Sequence, residues 1–203
     1  MRSIHGERIT LLALFISLLF SGCAGSPSQP TRFYRLDGQP GTAETISLKP
    51  QPGQKLVGIG PIKLAAYLDR PQIVERQSSH RLKLHEFDHW AGSLQENIVQ
   101  VVSDLVRDRL TDMPVIAYPW HGTVKPDYEV LLTFNRFDHE GDKIWLKLRW
   151  SLIRTSDSRL LEMQRLVIEE PLQGEGIEAV VAAANRAMET LAERIASAIL
   201  SFE

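Results

Sequence analysis

The string His85-Glu86-Phe87-Asp88-His89 concentrates more potential chemistry than any other stretch of these 203 residues. Two histidines four apart, with a glutamate after the first, match the H-E-x-x-H pattern. On a helix that pattern turns both imidazoles to one face to bind zinc, while the carboxylate activates water. The chemistry needs the helix. Here the string follows Arg81-Leu82-Lys83-Leu84, which alternates as a strand does, and precedes Gly92. We therefore expect a strand-to-helix junction in which Asp88 or His89 starts the helix, with no third ligand at a metalloprotease spacing. An exported zinc hydrolase using His85, Glu86 and His89 stands only as the alternative reading. Other templates are missing. Gly58-Ile59-Gly60 is a bare GxG with no third glycine, following helix or lysine, so it reads as strand packing rather than a phosphate loop. The sequence has no P-loop and no G-x-S-x-G elbow, and its acids and bases are scattered. The expectation is a protein that is not an enzyme, with no catalytic residues, no bound metal and no cofactor.

Composition agrees with an ordinary globular chain: 43% hydrophobic, 24% charged, formal net charge -2. Nucleic acid is a poor partner for it, because binding phosphates needs a basic surface that releases counterions. Arg2 and Arg8 precede an uncharged, mainly apolar run from Ile9 to Phe20 broken only by Thr10 and Ser17, and small residues Ser21 and Gly22 follow. The run is shorter than the roughly 20 residues a spanning helix needs and fits a signal peptide over residues 1–22. Cys23, the chain's single cysteine, then resembles the modified residue of a bacterial lipobox, with Phe20 where leucine is commonest. In that pattern the leader is cut before the cysteine and the sulfur carries a diacylglycerol, whose methylenes each add about 0.8 kcal/mol of membrane affinity. Ala24 takes the place of the aspartate associated with inner-membrane retention, so the expected location is the periplasmic face of the outer membrane. Residues 23–31, with the Ser/Pro/Gln-rich stretch Ala24–Thr31, form a tether reaching about 25 Å at roughly 3.3 Å per residue. The folded domain is expected over residues 32–203.

The elements that position any site follow from periodicity. Short strands are expected at Phe33–Leu36 and Lys55–Ile62, and a hairpin at Ile73–Arg76 and Arg81–Leu84. Leu94, Ile98, Val101 and Leu105 recur at helical spacing and place a first helix at about Trp90–Leu110, with Ser93 and Glu96 as a capping box and Asp88 as an earlier cap candidate. Three strands follow at Tyr128–Asp138, Ile144–Arg154 and Leu160–Glu169. In the second, Ile144, Leu146, Leu148 and Trp150 alternate with Trp145, Lys147 and Arg149, so one face is buried and the other wet. Ile177, Val181, Ala184, Met188, Leu191, Ile195 and Ala198 stripe a closing helix over Gly176–Leu200. This order of elements predicts an α+β fold, a mainly antiparallel sheet with two helices packed on one face.

Tyr67-Leu68-Asp69-Arg70-Pro71-Gln72-Ile73-Val74 joins two of the apolar runs through a charged, proline-closed elbow. Together with Val57-Gly58-Ile59-Gly60-Pro61-Ile62, the Trp90-Ala91 pair and Leu94, it resembles the PqiC-like ABC-type transport auxiliary lipoprotein family. Phe33-Tyr34-Arg35-Leu36 resembles the family's opening strand, and the Ala-rich last helix its ending. The resemblance implies a non-catalytic outer-membrane component of lipid trafficking. Its partners would be a periplasm-spanning MCE-domain protein of the PqiB type and, indirectly, an inner-membrane permease and its ATPase, and it would assemble as a homo-oligomeric ring. A purely structural envelope lipoprotein is the other alternative. With no catalytic machinery in sight, Tyr67, Leu68, Asp69, Arg70, Pro71 and Trp90 are the expected partner or subunit contacts, being residue types suited to an exposed hot spot.

Overall fold

A computed structural model describes residues 28–38 and 53–202. The leader, Cys23 and most of the tether lie outside them. The chain divides into Met1–Pro30 and a compact unit Thr31–Glu203, and the fold below is that of the second unit. In chain order it contains β1 (Arg32–Tyr34), β2 (Val57–Leu64), a 3-10 turn (Ala66–Leu68), β3 (Gln72–Ser78), β4 (Arg81–Trp90), α1 (Leu94–Arg107), β5 (Val115–Ala117), β6 (Tyr128–Glu140), β7 (Lys143–Arg154), β8 (Arg159–Pro171) and α2 (Gly176–Leu200).

All eight strands join one mixed sheet whose spine is β6. Along one edge β6 pairs antiparallel with β7 over its whole length, from Tyr128↔Arg154 to Glu140↔Lys143, and β7 pairs antiparallel with β8. The other edge is shared. Its first half takes β2 in parallel, from Val57↔Tyr128 to Leu64↔Phe134, and its far end takes β3 at Glu75↔His139. Outside β2 lies β5; outside β3 lie β4 and then β1. Between Leu64↔Phe134 and Glu75↔His139 eleven steps of chain oppose five along β6, so the surplus loops outward and forms the elbow.

The alternation in β7 is realised: Ile144, Leu146, Leu148, Trp150 and Leu152 are buried. They meet α2, whose stripe from Ile177 to Ala198 is buried, while α1 packs on β2 and β5 and against α2. Both helices thus cover one face, giving the α+β architecture. Helix α1 starts at Leu94, where Ser93 Oγ accepts from the Glu96 N–H at 3.3 Å. Asp88 is no cap, since β4 continues through Trp90. The strand is prolonged by pairing with β1, in register Arg32↔Asp88 to Tyr34↔Trp90, a long-range partner that local periodicity cannot reveal. The three-residue β5, too short to show a period, is an additional element. In β2 the two glycines permit close packing. A Cβ on Gly58 would lie 2.8 Å from Pro126 Cγ and 2.9 Å from Trp120 Cζ3; Gly60 has φ +113°, and a Cβ there would lie 2.6 Å from Tyr118 Cβ.

Candidate functional site

The elbow is built by short-range hydrogen bonds. Leu68 N–H donates to Ala65 O (2.8 Å) and Arg70 N–H to Leu68 O (2.9 Å), while Ala65 N–H ties the turn to β6 through Phe134 O (2.9 Å). Tyr67 is fastened at its far end, its hydroxyl donating to Asp138 Oδ2 at 2.8 Å. Asp138 is 1% exposed and also accepts from Arg76 Nη2 (2.9 Å), Arg76 Nε (3.3 Å) and Arg136 Nε (2.7 Å). Burial, then the bond to Asp138, pushes the Tyr67 phenol up to about 12. Tyr67 is therefore a half-buried side chain whose hydroxyl ties the elbow to β6.

Two other expected contacts change character. Leu68 is 2% exposed and belongs to the core. Trp90 is the last residue of β4 instead of the first of a helix; it is 6% exposed, its ring lies 6.0 Å from that of Phe137, and its N–H donates to Pro71 O at 2.7 Å. Compact folding claims these side chains because each sits next to an apolar strand face. What remains outward is Asp69, Pro71 and part of Arg70. The structure does bring the stretch together, for Leu68, Asp69, Arg70, Pro71 and Trp90 join Leu64 and Leu94 around a hollow of about 360 Å³. In its wall Arg70 Nε is buried without a hydrogen-bond acceptor among the described residues.

The His85–His89 string is not assembled as a zinc site. Between Gln72↔His89 and Val74↔Leu84 the pairing shifts, so that two steps along β3 oppose five along β4. This bulge of three extra residues breaks strict alternation and reorients the side chains it carries. The two histidines part: His89 Nε2 is 2.9 Å from Glu86 O, with its ring edge-on to Phe33, and Glu86 is exposed. His85 instead turns to Glu75, Nε2 to Oε2 2.9 Å. The expected strand-to-helix junction is thus corrected to a bulged strand.

A different trio forms on the helix-covered side. Glu75 and His139 are direct register partners across β3 and β6, and with His85 their ligand atoms lie within 4.8 Å of one another. His139 is buried, and burial lowers its imidazole below the ordinary range although Glu75 opposes the shift. Burial alone would raise the Glu75 carboxyl, but hydrogen bonds from Lys83 and His85 outweigh it and leave the group lowered. Asp88 behaves likewise: burial is outweighed by Arg32, which forks onto both oxygens at 2.7 and 3.0 Å, and by the Tyr34 hydroxyl at 3.0 Å. His85, Asp88 and His139 open onto a cleft of about 560 Å³ walled by Arg32, Gly141 and the first residues of α2. Glu75, His139, Asp138 and Arg32 went unmarked in the sequence, since each meets its partners across strands far apart in the chain.

Among the described residues no helix is long and apolar enough to cross a membrane. Two solved structures share the fold: a crystal structure of an uncharacterized protein (15% identity, 84% of this chain and 99% of the other, TM-score 0.69), and a protein from Xanthomonas campestris (17% identity, 82% and 93%, TM-score 0.64). No curated protein matches the sequence. A family described as the ABC-type transport auxiliary lipoprotein component matches residues 34–196, a span running from β1 into the last turns of α2 and taking in the elbow, the bulged strand and the spine. The chain belongs to that family, and is thereby a lipoprotein component of ABC-type transport in the cell envelope.

Proposed function

We propose that this protein is anchored through Cys23 in the periplasmic face of the outer membrane, where it docks a periplasm-spanning MCE-domain protein of the PqiB type and assembles as a homo-oligomeric ring. ATP hydrolysis then belongs to the distant inner-membrane permease and ATPase, and the docking itself rests on shape and hydrogen bonding, without catalysis or a cofactor. The observation that carries the reading is the elbow hollow. Arg70 Nε is buried in its wall with no acceptor among the described residues, and a buried unpaired donor costs about 1–3 kcal/mol, which a carbonyl or carboxylate met by a turn of the side chain into the hollow removes. Arginine lining a hollow beside apolar and aromatic side chains is a common binding hot spot. Tyr67, Leu68 and Trp90 support the contact from behind, while Asp69, Arg70 and Pro71 make it.

Detergent extraction of the native complex tests this. The MCE-domain protein should copurify with the wild-type chain, and Cys23→Ala should leave the outer-membrane fraction for the soluble periplasm. A purely structural lipoprotein would bring down no MCE partner, and a Cys23→Ala chain that stays with the outer membrane would refute the anchor.

A further inference from the structure

We propose that Glu75, His85 and His139 bind one divalent transition-metal ion of the zinc class, with Asp88 orienting His85 from behind. Two imidazoles and one carboxylate are a donor set that zinc, cobalt and nickel accept. The three come from three strands and are brought together by two features of the backbone, the β3–β6 register pair and the bulge in β4. Metal–ligand bonds of 2.0–2.2 Å put tetrahedral ligand atoms roughly 3.3 Å apart. The observed separations straddle that value: Glu75 Oε2 lies 2.9 Å from His85 Nε2 and 4.0 Å from His139 Nε2. The third separation, between the His85 and His139 nitrogens, is within 4.8 Å, so binding requires the ligand atoms to draw together by up to about 1.5 Å.

Independent observations point to a ligand here. His139 is 9% exposed, yet neither ring nitrogen has a hydrogen-bond partner among the described residues. Buried polar groups are nearly always paired, and an unpaired one calls for an absent partner. A metal ion beside Glu75 supplies it for Nε2, the nitrogen that faces Glu75. His85 Nδ1 faces Asp88 Oδ2 at 3.8 Å, beyond hydrogen-bond distance, and a small turn of the ring would bring it into the carboxylate–histidine pair found behind metal-bound imidazoles, leaving Nε2 for the ion. Asp88 is itself held by Arg32 and Tyr34. Lys83 Nζ, 3.0 Å from Glu75 Oε2, is the competing cation; half exposed, it can withdraw to solvent when the ion arrives. The cleft leaves a fourth position for water. Such an ion would brace β3 and β4 against the spine, and of the linear His85-Glu86-x-x-His89 pattern only His85 takes part in it.

The test is calorimetric titration of zinc chloride into the full-length lipoprotein in detergent, after chelator treatment, with circular dichroism confirming the fold of each variant. One ion per chain is expected. His85→Ala and His139→Ala should weaken binding by more than about 100-fold, since outer partners alone are worth about 10–100-fold, and Asp88→Asn by about 10-fold. His89→Ala should bind as wild type. Should His139→Ala fail to fold, X-ray absorption of the zinc-loaded wild type keeps the question open to decision, with imidazole scatterers near 2.0 Å expected. Absence of stoichiometric binding, binding indifferent to His85 and His139, an absorption spectrum without imidazole scatterers, or loss on His89→Ala would each overturn the proposal.

Discussion

Replacing Asp138 by asparagine should be among the most damaging conservative changes in this protein. The carboxylate is buried and accepts four hydrogen bonds from Tyr67, Arg76 and Arg136. An amide keeps one oxygen but turns an NH₂ group toward donors, and it leaves two guanidiniums short of a counter-charge. Breaking a buried ion pair on one side costs about 3–5 kcal/mol. Arg136 retains Glu140 at 2.7 Å, and the Arg76 and Arg136 side chains are 18% and 12% exposed, which favours the lower end, about 3 kcal/mol. For a domain of this size each kcal/mol moves the midpoint by about 2–4 °C, so Tm should fall by about 6–12 °C. Tyr67→Phe removes one bond to the same carboxylate and should cost about 1.5 kcal/mol. Both single variants and the double variant should be followed by thermal and urea unfolding. Sharing one carboxylate, the two changes should couple, the double variant losing less than the sum of the singles by about 1 kcal/mol. Strict additivity, or an Asp138→Asn loss below about 1 kcal/mol, would show that Tyr67 does not tether the elbow to β6.

Two further outcomes follow from the same geometry. Gly60→Ala combines a left-handed φ with a Cβ 2.6 Å from Tyr118 Cβ and should destabilise by more than about 1 kcal/mol in urea unfolding; a neutral result would mean that β2 can shift. The Tyr67 phenol, raised from 10.0 to about 12 in the fold, stays protonated longer there than in the unfolded chain. Its contribution is fully present below pH 10 and is lost as pH rises from there through 12, so wild-type stability should fall over that interval more steeply than that of Tyr67→Phe.

The parts of the fold legible in the sequence are those whose period is local. The alternation from Ile144 to Trp150 and the stripe from Ile177 to Ala198 each name their buried face without outside help, and Ser93 with Glu96 marks the start of α1. The region from His85 to Trp90 is legible only in part. Gly92 and the helical pattern beyond it invite an early helix start, but the parallel pairing of β1 extends the strand instead, and Arg32 closing on Asp88 holds it there. The elbow was visible as a unit because its residues are contiguous. Which of its side chains face solvent was not, since that depends on Asp138 at the far end of β6 and on the core beneath Leu68. The Glu75–His85–His139 trio was hidden for the same reason: a bulge and a single register pair assemble it, and neither leaves a local pattern. The most conspicuous chemical motif in the chain names two histidines, His85 and His89, that the fold gives different partners.

The central claim, that the elbow hollow is where a partner docks, is tested most directly by the affinity of the purified MCE-domain protein for wild-type chain and for Arg70→Glu. Leu68 is unsuitable for this purpose, because a charge at that buried position would disturb the fold. Arg165, exposed on β8, provides the control for a simple change of charge. Arg70→Glu should weaken binding by more than about tenfold, which is 1.4 kcal/mol, while Arg165→Glu leaves it unchanged. Equal affinities for the wild type and Arg70→Glu, or equal losses in the two variants, would contradict it.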